Sequence, residues 1–188
     1  MTPIYASARS RAISVRWPAY LLKLLLASWG IALAAHFRVV LPWSPVPITG
    51  QTLAVAIVGL SFGPAMAFQA VCAYLLQGAA SLPVFAGSSA GIAALTGATA
   101  GYLAAMPFAA SAASALSRRG AKSYPIAVLA AWLSSAIVLL AGTLWLSHFV
   151  HGFRAALWAG LYPFLPGEAI KGVVAAGSVA GIRRLRRR

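Results

Sequence analysis

Pro163-Phe164-Leu165-Pro166-Gly167-Glu168-Ala169-Ile170-Lys171 contains Glu168, the only carboxylate side chain of the protein. Asp plus Glu number 1 against 15 Lys plus Arg, and this acid stands at the start of an apolar segment instead of on a wet surface. Pro166 suits the first position of a helix, where its missing N–H is no loss. Glu168 then falls in the first turn, near the positive end of the helix dipole. Lys171 follows at i+3 on the same face, so each charge lowers the cost of keeping the other away from water. Two readings fit: an ion pair that only pins helix packing, or a polar pair that marks a substrate or ion path.

The surroundings of that pair decide the class. Of 188 residues 61% are hydrophobic and 9% charged, and the mean hydropathy is +0.85. That is more apolar surface than a soluble core of this length can hide, so the chain reads as an all-α integral membrane protein. The net charge of +14 sits in short clusters at the ends of apolar runs. Membrane topology explains such clusters better than nucleic acid does. Cys72 is the single cysteine, which excludes a disulfide within one chain and a Cys-rich metal site.

Working outward, six spans are expected. Residues 1–18, with Arg9, Arg11 and Arg16, read as a basic cytoplasmic arm on anionic lipid headgroups. Residues 19–182 form the membrane domain, and 183–188 an Arg-rich cytoplasmic tail. The first span is expected from about Tyr20 to Leu41, with Lys23 and Arg38 snorkelling from its ends. Ser28 with Ala32, and Gly30 with Ala34, give it a small-residue face for close approach, inside the bundle or to a partner protein. Pro42 to Pro47 cannot be helical. Runs to Phe62 and to Gln77 follow, broken at Gly63-Pro64, and at ~1.5 Å per residue both are short for a ~30 Å hydrocarbon core. Gly78 to Gly101 is uncharged and rich in Gly, Ser, Thr and Ala, and reads as a loop dipping over a pocket. The later spans run to about Leu116, from Pro125 to about Phe149, and from Pro166 to about Ile182, with a short interfacial helix through Trp158. Placing both termini in the cytoplasm puts Arg118, Arg119, Lys122 and the terminal arginines inside, as the positive-inside rule requires.

Catalysis fails by subtraction. One carboxylate excludes paired-acid chemistry, and His36, His148 and His151 have no ligand spacing, so no metal or other cofactor is expected. Gly87-Ser88-Ser89-Ala90-Gly91 fits G-x-S-x-G, but no strand precedes it and the chain has no Asp to orient a His. The chain reads as no enzyme, and it lacks a Walker loop to drive transport itself. What remains is an outward pocket with Thr49, Gln51, Ser88, Ser89, Thr99, Tyr102, Glu168 and Lys171 as hydrogen-bonding groups, and Phe85 and Tyr102 as aromatic walls. Glu168 can accept from N–H donors while Lys171 donates to a carbonyl, which suits a ligand bearing N–H groups beside a C=O.

Three motifs resemble one family. They are Pro45-Val46-Pro47-Ile48-Thr49-Gly50-Gln51-Thr52-Leu53, then Gly78 followed by Leu82-Pro83-Val84-Phe85-Ala86-Gly87, and then Pro163 to Glu168 with Lys171. They resemble BioY, the biotin-specific S component of energy-coupling factor (ECF) transporters. The resemblance implies a six-helix S-component bundle that binds biotin from the outer face of the cytoplasmic membrane. It implies a transmembrane coupling protein with two ABC-type ATPases as partners, or self-association where no such module is used. It also implies biotin contacts at Glu168 and Lys171, from Phe85 to Gly91 (with Gly87, Ser88, Ser89 and Gly91 itself) and from Thr99 to Tyr102. Glu168 stands where the family more often has Asp. Readings that stay open are an S component for another small vitamin and a non-transporting membrane anchor or assembly protein.

Overall fold

The computed structural model describes residues 17–119 and 123–185. Most of the expected N-terminal arm, Lys122 and the last three arginines lie outside the described residues. In chain order the elements are α1 (Trp17–His36), β1 (Arg38–Val39), β2 (Ile48–Thr49), α2 (Gln51–Ser61), α3 (Pro64–Ala79), α4 (Ile92–Thr96), α5 (Ala100–Arg119), α6 (Tyr124–Leu146), α7 (Phe153–Gly160) and α8 (Leu165–Leu185).

The sharpest break falls where expected. Phe62 and Gly63 are extended, with ψ of 171° and 159°, and Pro64 opens α3. A residue before proline is pushed out of the helical region, and proline fits the start of the next helix. Helix α5 is the hub of the bundle and packs on α6, α3 and α2. Its alanines, among them buried Ala105, Ala109, Ala110 and Ala113, let neighbouring backbones come close. At the α2–α5 contact, a Cβ built on Gly59 would lie 2.7 Å from the Ala110 carbonyl oxygen. Only glycine allows that approach.

Two expected details are corrected. The first helix ends at His36, not at Leu41. Three prolines fold the following loop back, and Arg38 pairs with Thr49 and Val39 with Ile48 in a short antiparallel ladder. The Gly50 amide donates to the Phe37 carbonyl at 3.0 Å, so this chain segment takes its hydrogen bonds from the strand beside it, not from a helix. At the other end, α8 begins at Leu165, one residue before Pro166. Glu168 remains in the first turn, as expected.

The small-residue face of α1 is divided. Ser28 and Ala32 are buried in the bundle, where the Gln77 amide donates to the Ser28 hydroxyl at 3.1 Å. Ala34 lies under the Gly50 backbone. Of the four positions expected to offer a docking surface, only Gly30 faces outward. Among the described residues, two helices are long and apolar enough by themselves to cross a membrane, Trp17–His36 and Tyr124–Leu146.

Candidate functional site

Four elements meet around the one carboxylate. Glu168 is 5% exposed, and an unpaired charge there would be expensive, so its partners account for its place. Lys171 Nζ lies 2.7 Å from Glu168 Oε1. The Thr52 hydroxyl from α2 donates to the same oxygen at 2.6 Å, and the Ser135 hydroxyl from α6 donates to Oε2 at 2.6 Å. Lys171 Nζ also donates to the Thr49 carbonyl at 2.7 Å and to Thr52 Oγ1 at 3.1 Å. All three ammonium N–H groups are thus engaged, while Glu168 Oε2 keeps acceptor capacity. The cluster ties α8 to α2, α6 and the β2 strand.

The pair forms one wall of a cavity of about 280 Å³, close to the lower bound of roughly 300 Å³ for small-molecule sites. Leu103, Met106, Val138, Leu139 and Phe164 give it apolar sides, Arg38 comes from β1, and Pro45, Pro47, Ala86, Ser89 and Thr99 come from the connecting segments. Beside the pair, Gln51 is held in a chain of its own: its amide donates to the Tyr74 hydroxyl at 2.5 Å and its carbonyl accepts from Thr49 Oγ1 at 2.9 Å. Tyr102 Oη donates to the Gly160 carbonyl at 2.9 Å, and its ring stacks at 6.5 Å from Phe164.

The structure brings together Thr49, Gln51, Ser89, Thr99, Tyr102, Glu168 and Lys171 around this cavity. It places Phe85 elsewhere. That ring is 1% exposed, meets Tyr74 edge-on at 5.4 Å and fills the space left by Gly78. Phe85 is therefore a core residue that anchors the loop, not an aromatic wall. Gly87, Ser88 and Gly91 do not line the cavity but shape the loop over it: Gly87 has φ +71°, Ser88 φ +60° and Gly91 φ +79°, and the Gly91 amide donates to the Gly78 carbonyl at 2.7 Å. Left-handed backbone favours glycine, and at position 87 any side chain would also collide with the Arg38 guanidinium.

Sequence reasoning missed Thr52, Ser135 and Arg38. The first two had a signal: a lone carboxylate in an apolar bundle needs donors, and hydroxyls on facing helices are the available ones. The apolar run on either side of Arg38 predicts the end of a span there. The Arg38 side chain instead lies over Gly87 at the cavity, and no hydrogen bond ties the guanidinium to another described residue. Its guanidinium remains open to an anion.

Comparison with known proteins gives a consistent picture. A model of the BioY family matches residues 10–188. The chain is 37% identical to the probable biotin transporter BioY of Pyrococcus horikoshii over 70% of its length and 76% of the relative. It is 35% identical to the biotin transporter BioY of Rhizobium etli, over 81% and 86% of the two chains. In structure it is similar to the S-component for biotin from an ECF-type ABC transporter, with a TM-score of 0.82 over 92% of this chain and 93% of the other. At 23% identity that likeness shows a shared S-component fold. The chain belongs to the BioY family.

Proposed function

We propose that the chain binds biotin at the outer face of a prokaryotic cytoplasmic membrane and mediates its uptake as the substrate-specific component of an ECF-type transporter. The observation that carries the proposal is the cavity with a buried Glu168–Lys171 pair at one wall and an unengaged Arg38 at another. Biotin has the matching parts. Its ureido ring offers N–H groups to Glu168 Oε2 and a C=O to which Lys171 donates only by giving up one of its present partners. Its bicyclic body suits the apolar sides, and its chain ends in a carboxylate that a guanidinium can hold in a fork of two hydrogen bonds. The names of the relatives support the same ligand.

In this reading α1, α2, α3, α5, α6 and α8 are the six spans. Arg118, Arg119, Arg183 and Arg184 mark the cytoplasmic end together with both termini, the arm over 1–18 and the tail over 183–188. A transmembrane coupling protein with two ABC-type ATPases supplies the energy; self-association is the arrangement where that module is absent. The saturated Lys171 favours one second reading, a pair that only fastens α8 to α2. Uptake of labelled biotin by a host that lacks its own biotin synthesis and uptake tests the first reading: expression of the chain should restore accumulation. A correctly inserted protein that leaves uptake at background, with and without a coexpressed energising module, would contradict it.

Arg38 gives a selective prediction. Arg38→Ala should weaken biotin binding by roughly tenfold or more, the value of one charge-assisted pair, yet barely change binding of biotin amide, which has no carboxylate. Equal losses for both ligands in equilibrium binding would remove Arg38 from the carboxylate role.

A further inference from the structure

The end of the bundle opposite Glu168 carries two adjoining cavities that biotin binding does not use. One, of about 380 Å³, lies between the α2–α3 turn and the ends of α5 and α8, with Ser61, Ser117, Arg118 and Arg183 among its lining residues. The other, of about 690 Å³, runs along α1, α2 and α8. Leu26, Ile31, Ile57 and Ile182 wall it, and Lys23 and Arg183 are its cations. The two share Ser61, Phe62 and Arg183. A cationic cup thus opens into an apolar groove.

The groups in the cup are short of partners. Arg183 Nη2 donates to the Leu60 carbonyl at 2.6 Å, which leaves most of its five N–H donors. The Arg118 side chain lies across Gly63, where a built Cβ would stand 2.9 Å from Nη2, and its guanidinium has no hydrogen bond to another described residue. Ser114 donates to the Phe62 carbonyl at 2.6 Å. Ser117, one turn on, is 3% exposed and lines the cup, and its hydroxyl makes no hydrogen bond to another described residue. Helix α3 starts here without a side-chain cap, so its first N–H groups add positive character. No side-chain carboxylate of this chain can answer these charges, because the only one is Glu168 and it is held by Lys171 at the other end of α8.

An anion from outside would answer these charges, and the groove specifies the rest of the molecule. We propose that this end of the bundle holds an anionic phospholipid, its phosphate on Arg183, Arg118 and Ser117 and an acyl chain in the groove between α1 and α8. Lys23 faces the headgroup region from the rim. The site is independent of the biotin reading.

Native mass spectrometry of the detergent-purified full chain, titrated with dioleoyl phosphatidylglycerol or dioleoyl phosphatidylcholine, tests it. One phosphatidylglycerol should be retained, preferred by roughly tenfold, as two cations near a charged headgroup imply. Arg118→Gln, which alters an exposed side chain with no hydrogen bond to another described residue, should reduce that preference, as should Arg183→Gln. Arg183→Lys should keep it, and that variant guards against loss through misfolding. Glycerol 3-phosphate, the headgroup chemistry without a chain, should not compete. Equal retention of the two lipids, or a preference unchanged in Arg118→Gln and Arg183→Gln, would overturn the site. Effective competition by glycerol 3-phosphate would reduce it to a phosphate site and overturn the lipid assignment, as would a groove covered by a second copy of the chain in a lipid-free dimer.

Discussion

Glu168→Gln is expected to lower biotin affinity by on the order of 100-fold or more, the usual consequence of breaking one side of a buried, hydrogen-bonded charge pair. The amide keeps the shape of the side chain and can still accept from Thr52 and Lys171. It loses the negative charge and presents N–H donors where Oε2 now accepts from Ser135. Lys171, whose side chain is 18% exposed, is left without its counter-charge, so stability should also fall by about 2–3 kcal/mol. Binding of labelled biotin to protein that still elutes as a single folded species separates the two effects. Glu168→Asp, which retains the charge, should keep measurable binding. If Glu168→Gln binds biotin like the parent chain while melting earlier, the pair is a fastening between helices and no part of a ligand site.

The second large effect should come from Gly142, which does not line the cavity. Tyr102 is wedged between Gly142 of α6 and Gly160 of α7: a Cβ on either glycine would run into it. Gly142→Leu forces the ring into the cavity or parts α5 from α6, and overpacking of this kind costs about 1–3 kcal/mol, more when backbone must shift. Biotin affinity should drop in parallel, because Tyr102 lines the cavity. Tyr102→Phe should cost less, about 1 kcal/mol, since it removes one hydrogen bond to the Gly160 carbonyl and leaves the ring in place. Thermal unfolding of both variants gives the order. A Tyr102→Phe protein less stable than Gly142→Leu would contradict the packing account.

The helices were legible where a single strong signal governs them. Gly63-Pro64 announces the α2–α3 break through backbone sterics alone, and the uncharged Gly/Ser/Thr/Ala stretch announces irregular backbone between α3 and α5. The end of α1 was not legible. Phe37 to Leu41 is apolar enough to continue a span, and only the fold-back of the Pro42–Pro47 loop, a tertiary event, turns it into the strand that places Arg38 over the cavity. The site divides in the same way. The i+3 spacing of Glu168 and Lys171 is a local property of a helix, and the pair closes at 2.7 Å. Thr52 and Ser135 stand on other helices, so their registers against α8 are set by packing. Phe85 illustrates the limit of motif reading, because a residue inside a loop motif can serve the core beneath the loop.

The central claim is that the cavity beside the Glu168–Lys171 pair is a biotin site, and calorimetric titration of biotin into the purified chain tests it most directly. The account predicts saturable binding of one biotin per chain, with heat that is lost in Glu168→Gln and a thermal stabilisation that appears only with the parent protein. A folded parent chain that shows neither heat nor stabilisation with biotin would contradict it.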